Sequence, residues 1–531
     1  MPVLWGQVEP VTHLKRVWIY AIAVISLGLY IWLAFRYPLK PSLADPRASW
    51  ATQVNPTIEN AGIHLGIYLA LTLLYLAALY YLISHHGKVK ILSGRRMVLI
   101  IVFWLACSGA LMFVSPAGES HDIFDYLFRG RMMVEYHANP LAEVPDSFDI
   151  STPYSRYLAW RYHVDTYGPV WEGTSAAIAS TVHLVSSWLG WWNVSAPVCP
   201  KSVESCRMLI VYITGYRLVA VILTGISGWL IAKIVGRTQP DFVPVALAIW
   251  LWCPLTLIST ALAGHNDVVM LVFVLLGWWL LEKERPLWAL MALILAVHVK
   301  LTALIWLPVY VFWVYWRYGW RHTLRIFLMG SVSGVAISWL LYLPFGGWQT
   351  LPRMLLERSK FLANSVWQIL NYLLVKSGGW SSENARLLTT RLPTWLFGAG
   401  ALIICVCFFY IKGKALRGKQ PLSAEVIQLL WRVMMAVSLL YLLIGSFWFQ
   451  SWYFLWILAP AALLPKSQFT RLILPWLVFG ALSSNVIMDF LANSPNITIP
   501  SLTKYILPVA IIWGPALLVG CSRFAWERLH A

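Results

Sequence analysis

The chain has 531 residues, of which 59% are hydrophobic and only 12% charged, where a water-soluble domain carries about a quarter charged residues. A soluble globular enzyme is excluded on that ground. The formal charge of +18 does not point to nucleic acid either, because the basic residues fall in short runs between apolar segments.

A helix needs about 20 apolar residues to cross a hydrocarbon core about 30 Å thick. The first such run, Val17 to Phe35, follows Lys15-Arg16 and reads as a retained signal anchor. Long runs follow at 62–84, 97–115, 208–232, 242–262, 325–343, 391–412, 425–446, 469–491 and 503–522. Four shorter ones lie at 267–281, 286–299, 300–316 and 453–465. The expected fold class is therefore an all-α polytopic membrane protein with 12–14 transmembrane helices.

Lys and Arg concentrate at 85–96, 233–237, 282–285, 317–325 and 412–419. A cytoplasmic N-terminus puts all of these stretches inside, as the positive-inside rule requires. The chain then divides into an N-terminal transmembrane pair (1–96), a module over 97–345, a second outer loop over 346–390 and C-terminal helices over 391–531. The first outer loop, 116–206, holds 10 of the 22 acidic residues. Its length exceeds what joining two helices requires, and such loops carry function.

Within that loop Ser120 or a neighbour can cap a helix that begins near His121 and ends at Asn139-Pro140. On it Asp122, Asp125 and Arg129 share one face, with Tyr126 a turn beyond Asp122. A solvated ion-paired face is the plain alternative. The position at a span end, beside Phe124, Tyr126 and Phe128, favours chemistry. Further on, Tyr167-Gly168-Pro169 predicts a tight turn that exploits glycine's conformational range. Cys199 and Cys206 form a candidate disulfide in an oxidising compartment.

Arg217 lies some ten residues into the fourth span, where it either reaches a lipid phosphate or neutralises a buried acid. His265-Asn266-Asp267 opens a helix at the outer surface, as caps or as substrate contacts. Lys300 joins two segments too short to span and is expected to end a helical hairpin below the outer surface. A lysine at bilayer depth costs about 2.5–3.5 kcal/mol and so faces a cavity or a partner. The alternatives for it are phosphate binding and an ion pair with Asp267. Residues 351–362, with Arg353, Arg358 and Lys360, read as an interfacial amphipathic helix that grips anionic head groups or a phosphate.

The sequence has no GxxxxGK[ST], GxGxxG or HExxH, so nucleotide-driven transport and zinc proteolysis lack their usual parts. The runs Asp122-Ile123-Phe124-x-Tyr126, Gly130-Arg131, Asn139-Pro140 and Tyr167-Gly168-Pro169 resemble the first periplasmic loop of GT-C glycosyltransferases. The nearest group is the bacterial polyprenol-phosphate-mannose-dependent mannosyltransferases, including the alpha-(1→6)-mannopyranosyltransferases. The resemblance continues at Gly264-His265-Asn266-Asp267 and Lys300-Leu301-Thr302.

The resemblance implies a multi-pass cell-membrane enzyme with its site on the extracytoplasmic face. Its donor would be a polyprenyl-phosphate sugar, most naturally mannose, and its acceptor a glycan or lipid hydroxyl. It implies Asp122, or Asp125, as the base. Lys300, Arg217 and Arg129 are the candidates for the donor phosphate, and Tyr126, Arg131, Tyr167, His265, Asn266 and Asp267 for substrate contacts. Direct displacement at a single Asp implies inversion at the sugar carbon. No cofactor or metal is expected, a divalent cation being the less favoured option, and membrane lipid rather than nucleic acid is the expected environment. The competing class is a lipid or sugar transporter or flippase, whose helices are often interrupted near the midplane.

Overall fold

The structure, a computed structural model, describes residues 11–39, 43, 58–85, 90–115, 119–148, 157–190, 207–412, 423–493 and 500–529. Among these the fold is all-α, with only two isolated β-bridges, Pro38 to Val114 and Ala363 to Trp448. Nine helices among the described residues are long and apolar enough to cross a membrane. Large apolar side chains such as Val332, Trp339, Trp395 and Leu518 are exposed along them. That outward apolar surface is what a lipid solvent requires.

Nine of the ten long apolar runs are continuous spanning helices, and the tenth is broken. Residues Pro240–Trp252 and Pro254–Leu262 meet at 49° across Cys253. Cys253 is extended (φ −62°, ψ 125°), because the ring of the following proline crowds the helical conformation at the preceding residue. The shorter runs form Asp267–Glu282, Pro286–Val299, Leu307–Tyr318 and Leu455–Ala462. Lys300 does not close a simple hairpin turn. It is a single extended residue between Pro286–Val299 and a 3-10 turn, Leu301–Trp306, that leads into Leu307–Tyr318.

The helix Val11–Arg36 packs on Ile58–Ser84 and Lys90–Leu111, and Ile58–Ser84 in turn packs on Leu474–Asn493 near the other end of the chain. Three of the short basic loops, 233–237, 282–285 and 317–325, meet at one end of the bundle. There Arg237 pairs with Glu282 (3.6 Å) and Arg317 with Glu284 (3.1 Å). The Cys199–Cys206 pairing and the basic stretch 413–419 fall outside the described residues.

Two short helices stand apart from the spanning set. Asp122–Glu135 lies on Pro169–Trp188, a helix within the long loop 116–206. Thr350–Arg358 is amphipathic, with Thr350 and Met354 buried and Leu355 and Leu356 exposed. Met354 seats it on Leu141, Tyr342 and Phe345.

Candidate active site

The helix Asp122–Glu135 begins where its sequence suggests, with His121 at the cap position and no side-chain cap; the Asp122 amide donates to Ser120 Oγ (3.2 Å). It ends four residues earlier than Asn139-Pro140, because His137 adopts φ +50° and turns the chain. Asn139 has a different task, accepting from the Leu141 amide (3.0 Å) and donating to the Phe345 carbonyl (2.7 Å).

Two side chains of this helix strap down the loop that follows. The amides of Ala159 and Trp160 donate to Asp125 (3.3 and 3.1 Å). Arg129 donates to the carbonyls of Trp160 (3.3 Å) and His163 (2.9 Å) and pairs with Asp165 at 3.3 Å. Asp165 Oδ1 then accepts from the amides of Thr166 and Tyr167 (2.6 and 3.0 Å). The result is a rigid wall built from Asp122–Glu135 and residues 157–168.

Asp122 faces the space this wall encloses, a cavity of about 230 Å³ that Trp160, Tyr167, Arg358, Trp448 and Tyr453 also line. Its partners are distant ones. Trp160 Nε1 donates at 3.3 Å, Tyr126 OH at 3.4 Å, and His265 Nδ1 stands 3.9 Å away. Burial raises the Asp122 carboxyl to about 6, while the Lys300 ammonium and the bond from Trp160 hold it from rising further. Asp125 is buried more completely, and burial raises it to about 8 against the pull of Arg129 and the two amides.

Beneath Asp122 lies the segment 264–267, between the broken span and the helix Asp267–Glu282. Gly264 takes φ +66°, and a Cβ there would stand 2.9 Å from Ile123 Cδ1, so glycine is required for both conformation and space. His265 stacks on Trp452 with centroids 3.8 Å apart, and burial together with Lys300 holds it well below its ordinary range. Asn266 occupies the cap position without making a side-chain cap, its amide buried and unpartnered among the described residues. Asp267 accepts from Lys300 Nζ (2.9 and 3.0 Å) and from Trp456 Nε1 (2.7 Å). The ion-pair alternative for Lys300 is thus present in the structure, and the ammonium is also boxed by the rings of Tyr453 (4.8 Å), Tyr167 (5.2 Å) and Trp456 (5.5 Å).

Of the residues singled out in the sequence, the structure brings Asp122, Asp125, Tyr126, Arg129 and Tyr167 to the cavity, with His265, Asp267 and Lys300 directly behind them. Two are not brought there. Arg131 turns to the other side of its helix and pairs with Glu135 (2.6 Å), which also accepts from Tyr212 (3.3 Å). Arg217 donates to the Met112 carbonyl (2.7 Å) where Lys90–Leu111 ends, as cations do at the negative end of a helix. Gly168 also has another explanation than turn geometry. Its backbone is ordinary extended chain (φ −88°, ψ 168°), and glycine is needed because a Cβ would run into the carbonyl of His298.

The opposite wall went unread in the sequence. The run 447–454, FWFQSWYF, has six aromatic rings in eight residues and supplies Trp448, Gln450, Trp452 and Tyr453 to the cavity. Trp160 meets Phe361 and Trp448 edge to face, and Phe361 meets Trp448 at a tilt, all within 5.0–5.7 Å. Phe361 is held there by the bridge at Ala363, whose amide donates to the Phe447 carbonyl (3.2 Å). Such a density of rings at the end of an apolar run was the available signal. Among the described residues no group of three or more His, Cys, Asp or Glu is spaced to hold a metal ion.

A cavity-facing acid on a helix outside the spans, flanked by aromatic walls and a lysine pair, can be compared with known families. The sequence model described as "Alpha-(1->6)-mannopyranosyltransferase, N-terminal domain" matches residues 19–316, more than half of the chain. The chain belongs to this family. No curated protein matches it. The matched region of this mannopyranosyltransferase family member includes Asp122, the 157–168 wall, His265 to Asp267 and Lys300. Arg358 and the 448–453 wall lie beyond it, so the cavity is completed by a part of the chain that the family model does not describe.

Proposed function

We propose that the protein transfers mannose from a polyprenyl-phosphate donor to a hydroxyl of a glycan or lipid acceptor on the extracytoplasmic face of the cell membrane, with Asp122 as general base. The observation that carries this reading is the state of the Asp122 carboxylate. It faces the cavity on a helix outside the spans, is held by long contacts only, and is raised to about 6. Such a group is ionised at neutral pH yet basic enough to take a proton, which is what efficient base catalysis asks for. Asp125, with both oxygens committed to the Ala159 and Trp160 amides, serves the wall instead.

In the reaction the acceptor oxygen bonds to the anomeric carbon as its proton passes to Asp122. The bond from that carbon to the phosphate oxygen breaks, and its electron pair leaves with the polyprenyl phosphate. One displacement with no enzyme-bound intermediate inverts the sugar carbon. A place for the lipid tail supports the donor assignment. A groove of about 540 Å³ runs between Pro286–Val299 and the span Trp320–Phe345, lined by Leu290, Ile294, Val297, Leu301 and Val335. His298 and Leu301 border this groove, while Lys300 between them turns toward Asp267 and the cavity. The clustering of basic short loops at the end away from the cavity supports the sidedness.

Transfer of radiolabelled mannose from polyprenyl-phosphate mannose into membranes containing the chain tests the proposal. Asp122→Asn is expected to lower transfer by about 10²–10⁴-fold with the protein still folded and inserted. Full activity in that variant removes Asp122 as base. No transfer by the wild-type chain, together with vectorial movement of the intact lipid, would favour a flippase.

A further inference from the structure

The charge balance of the cavity is lopsided. Four of the cations singled out in the sequence are turned to other protein groups. Lys300 ends on the Asp267 carboxylate, Arg129 on Asp165 and two carbonyls, Arg131 on Glu135, and Arg217 on the end of Lys90–Leu111. His163 and Lys360 both turn to Glu357, at 3.0 Å and 2.5 Å. Among the described residues that line the cavity, Arg358 is the cation that meets no carboxylate. Its protein partner is a neutral one, the Tyr453 hydroxyl at 3.2 Å.

Arg358 is also aimed rather than free to wander. Thr350, Met354 and Arg358 follow one another at i, i+4 and i+8, so they share the inner stripe of the helix Thr350–Arg358. Met354 is fully buried in its own small cluster, which fixes that stripe toward the cavity. Leu355 and Leu356 point the other way, out to the lipid boundary. The helix thus rests on the membrane surface and delivers one guanidinium inward. Tyr453 joins this group to the rest of the site, because its hydroxyl takes Arg358 while its ring face carries Lys300.

We infer that Arg358 is the residue that binds the phosphate of the lipid-linked donor. This rests on the donor reading above and names the group that reading left open. The donor phosphate is a diester that brings one negative charge and two free acceptor oxygens to a site where the other cavity cations already face carboxylates, and it becomes a dianionic monoester when the sugar leaves. A planar guanidinium meets that geometry with paired donors. As the anomeric bond breaks, charge grows on the same phosphate, so the contact strengthens toward the transition state. Lys300 has a separate part: it pairs with Asp267 and is the strongest influence that lowers the neighbouring Asp122 carboxyl.

Binding to the purified full-length chain in nanodiscs tests this, with a long-chain polyprenyl monophosphate and the matching uncharged polyprenol as probes. The wild-type protein is expected to prefer the phosphorylated lipid by about tenfold or more. Arg358→Gln should bind the two about equally, and Arg358→Lys, which keeps the charge but loses the fork, should fall between. An unchanged preference in Arg358→Gln overturns the inference. If only the lysine variant accumulates as folded protein, an unchanged preference there overturns it equally. A wild-type chain with no preference removes the donor reading and this inference with it. Displacement of the polyprenyl phosphate by equimolar phosphatidylglycerol would make Arg358 a membrane anchor and also overturn it.

Discussion

Asp122 and Asp125 stand less than one helical turn apart and are both driven upward by burial, yet they end in different states. Burial is the largest influence on each. For Asp122 the Lys300 ammonium is the strongest force in the other direction, so the lysine sets where the base titrates. The proposed base works only when ionised, and its pKa lies at about 6. Transfer at subsaturating donor should therefore be lost as pH falls through about 6 and be near its plateau above pH 7, with one proton governing the ascending limb. Removing the cation as Lys300→Gln takes away the largest lowering influence and leaves Asp267 as an added negative neighbour. Both changes raise Asp122, so the limb should move to higher pH. Initial rates across pH 5 to 8 decide the matter: a flat wild-type profile, or a limb that stays put in Lys300→Gln, would mean that another group supplies the base.

Among the elements, the segment Gly264 to Asp267 does most to hold the Asp122 helix at its height. Gly264 lies directly under Ile123 in a left-handed conformation. Gly264→Ala asks an L-residue to adopt that conformation, which costs about 1–2 kcal/mol, and also presses a methyl against Ile123 Cδ1. The variant should melt at lower temperature in detergent and lose turnover because Asp122 is displaced. Adding Ile123→Val removes the contacted methyl and should restore turnover more than it restores the melting temperature, since the backbone strain remains. Equal recovery of both, or of neither, would refute a steric link between the two elements. Much at this scale was legible in the sequence. Spanning runs show themselves by length alone, and the surface helix by Ser120 and its acidic first turn. The break at Cys253 did not stand out, because Pro254 sits inside an otherwise unbroken apolar run. Arg131 was misplaced because motif position outweighed its i+4 partner Glu135, which was in plain view. The sequence offers Arg358 only as one of three cations on an amphipathic helix that grips head groups or a phosphate, and it does not show the Trp448 and Tyr453 wall, because their placement depends on contacts across 95 residues or more, which no local pattern encodes.

At the scale of the whole molecule, a polar cavity on the outer surface and an apolar groove along a span are separated by one short stretch of chain, His298 to Leu301. His298 borders the groove, and the Val299 carbonyl accepts from the Gly168 amide of the cavity wall at 3.0 Å, while Lys300 faces inward. A lipid-linked sugar must lie across a boundary of this kind, with its tail in hydrocarbon and its head group in water. The groove is lined mainly by apolar side chains, so on the proposed reading a tail in it would be recognised by buried length rather than by polar contacts. Ser338 is a small residue on the groove side of the span Trp320–Phe345. A phenyl ring there, as Ser338→Phe, would displace tail atoms without touching the cavity. Each buried methylene is worth about 0.8 kcal/mol, so losing two raises the KM for a long-chain donor about tenfold. A donor with a tail too short to reach Ser338 should show almost no change, and kcat at saturation should hold for both, because the reacting atoms are untouched. Steady-state kinetics with two donors that differ only in chain length separates the cases. A loss shared equally by long and short donors would place the tail elsewhere on the protein.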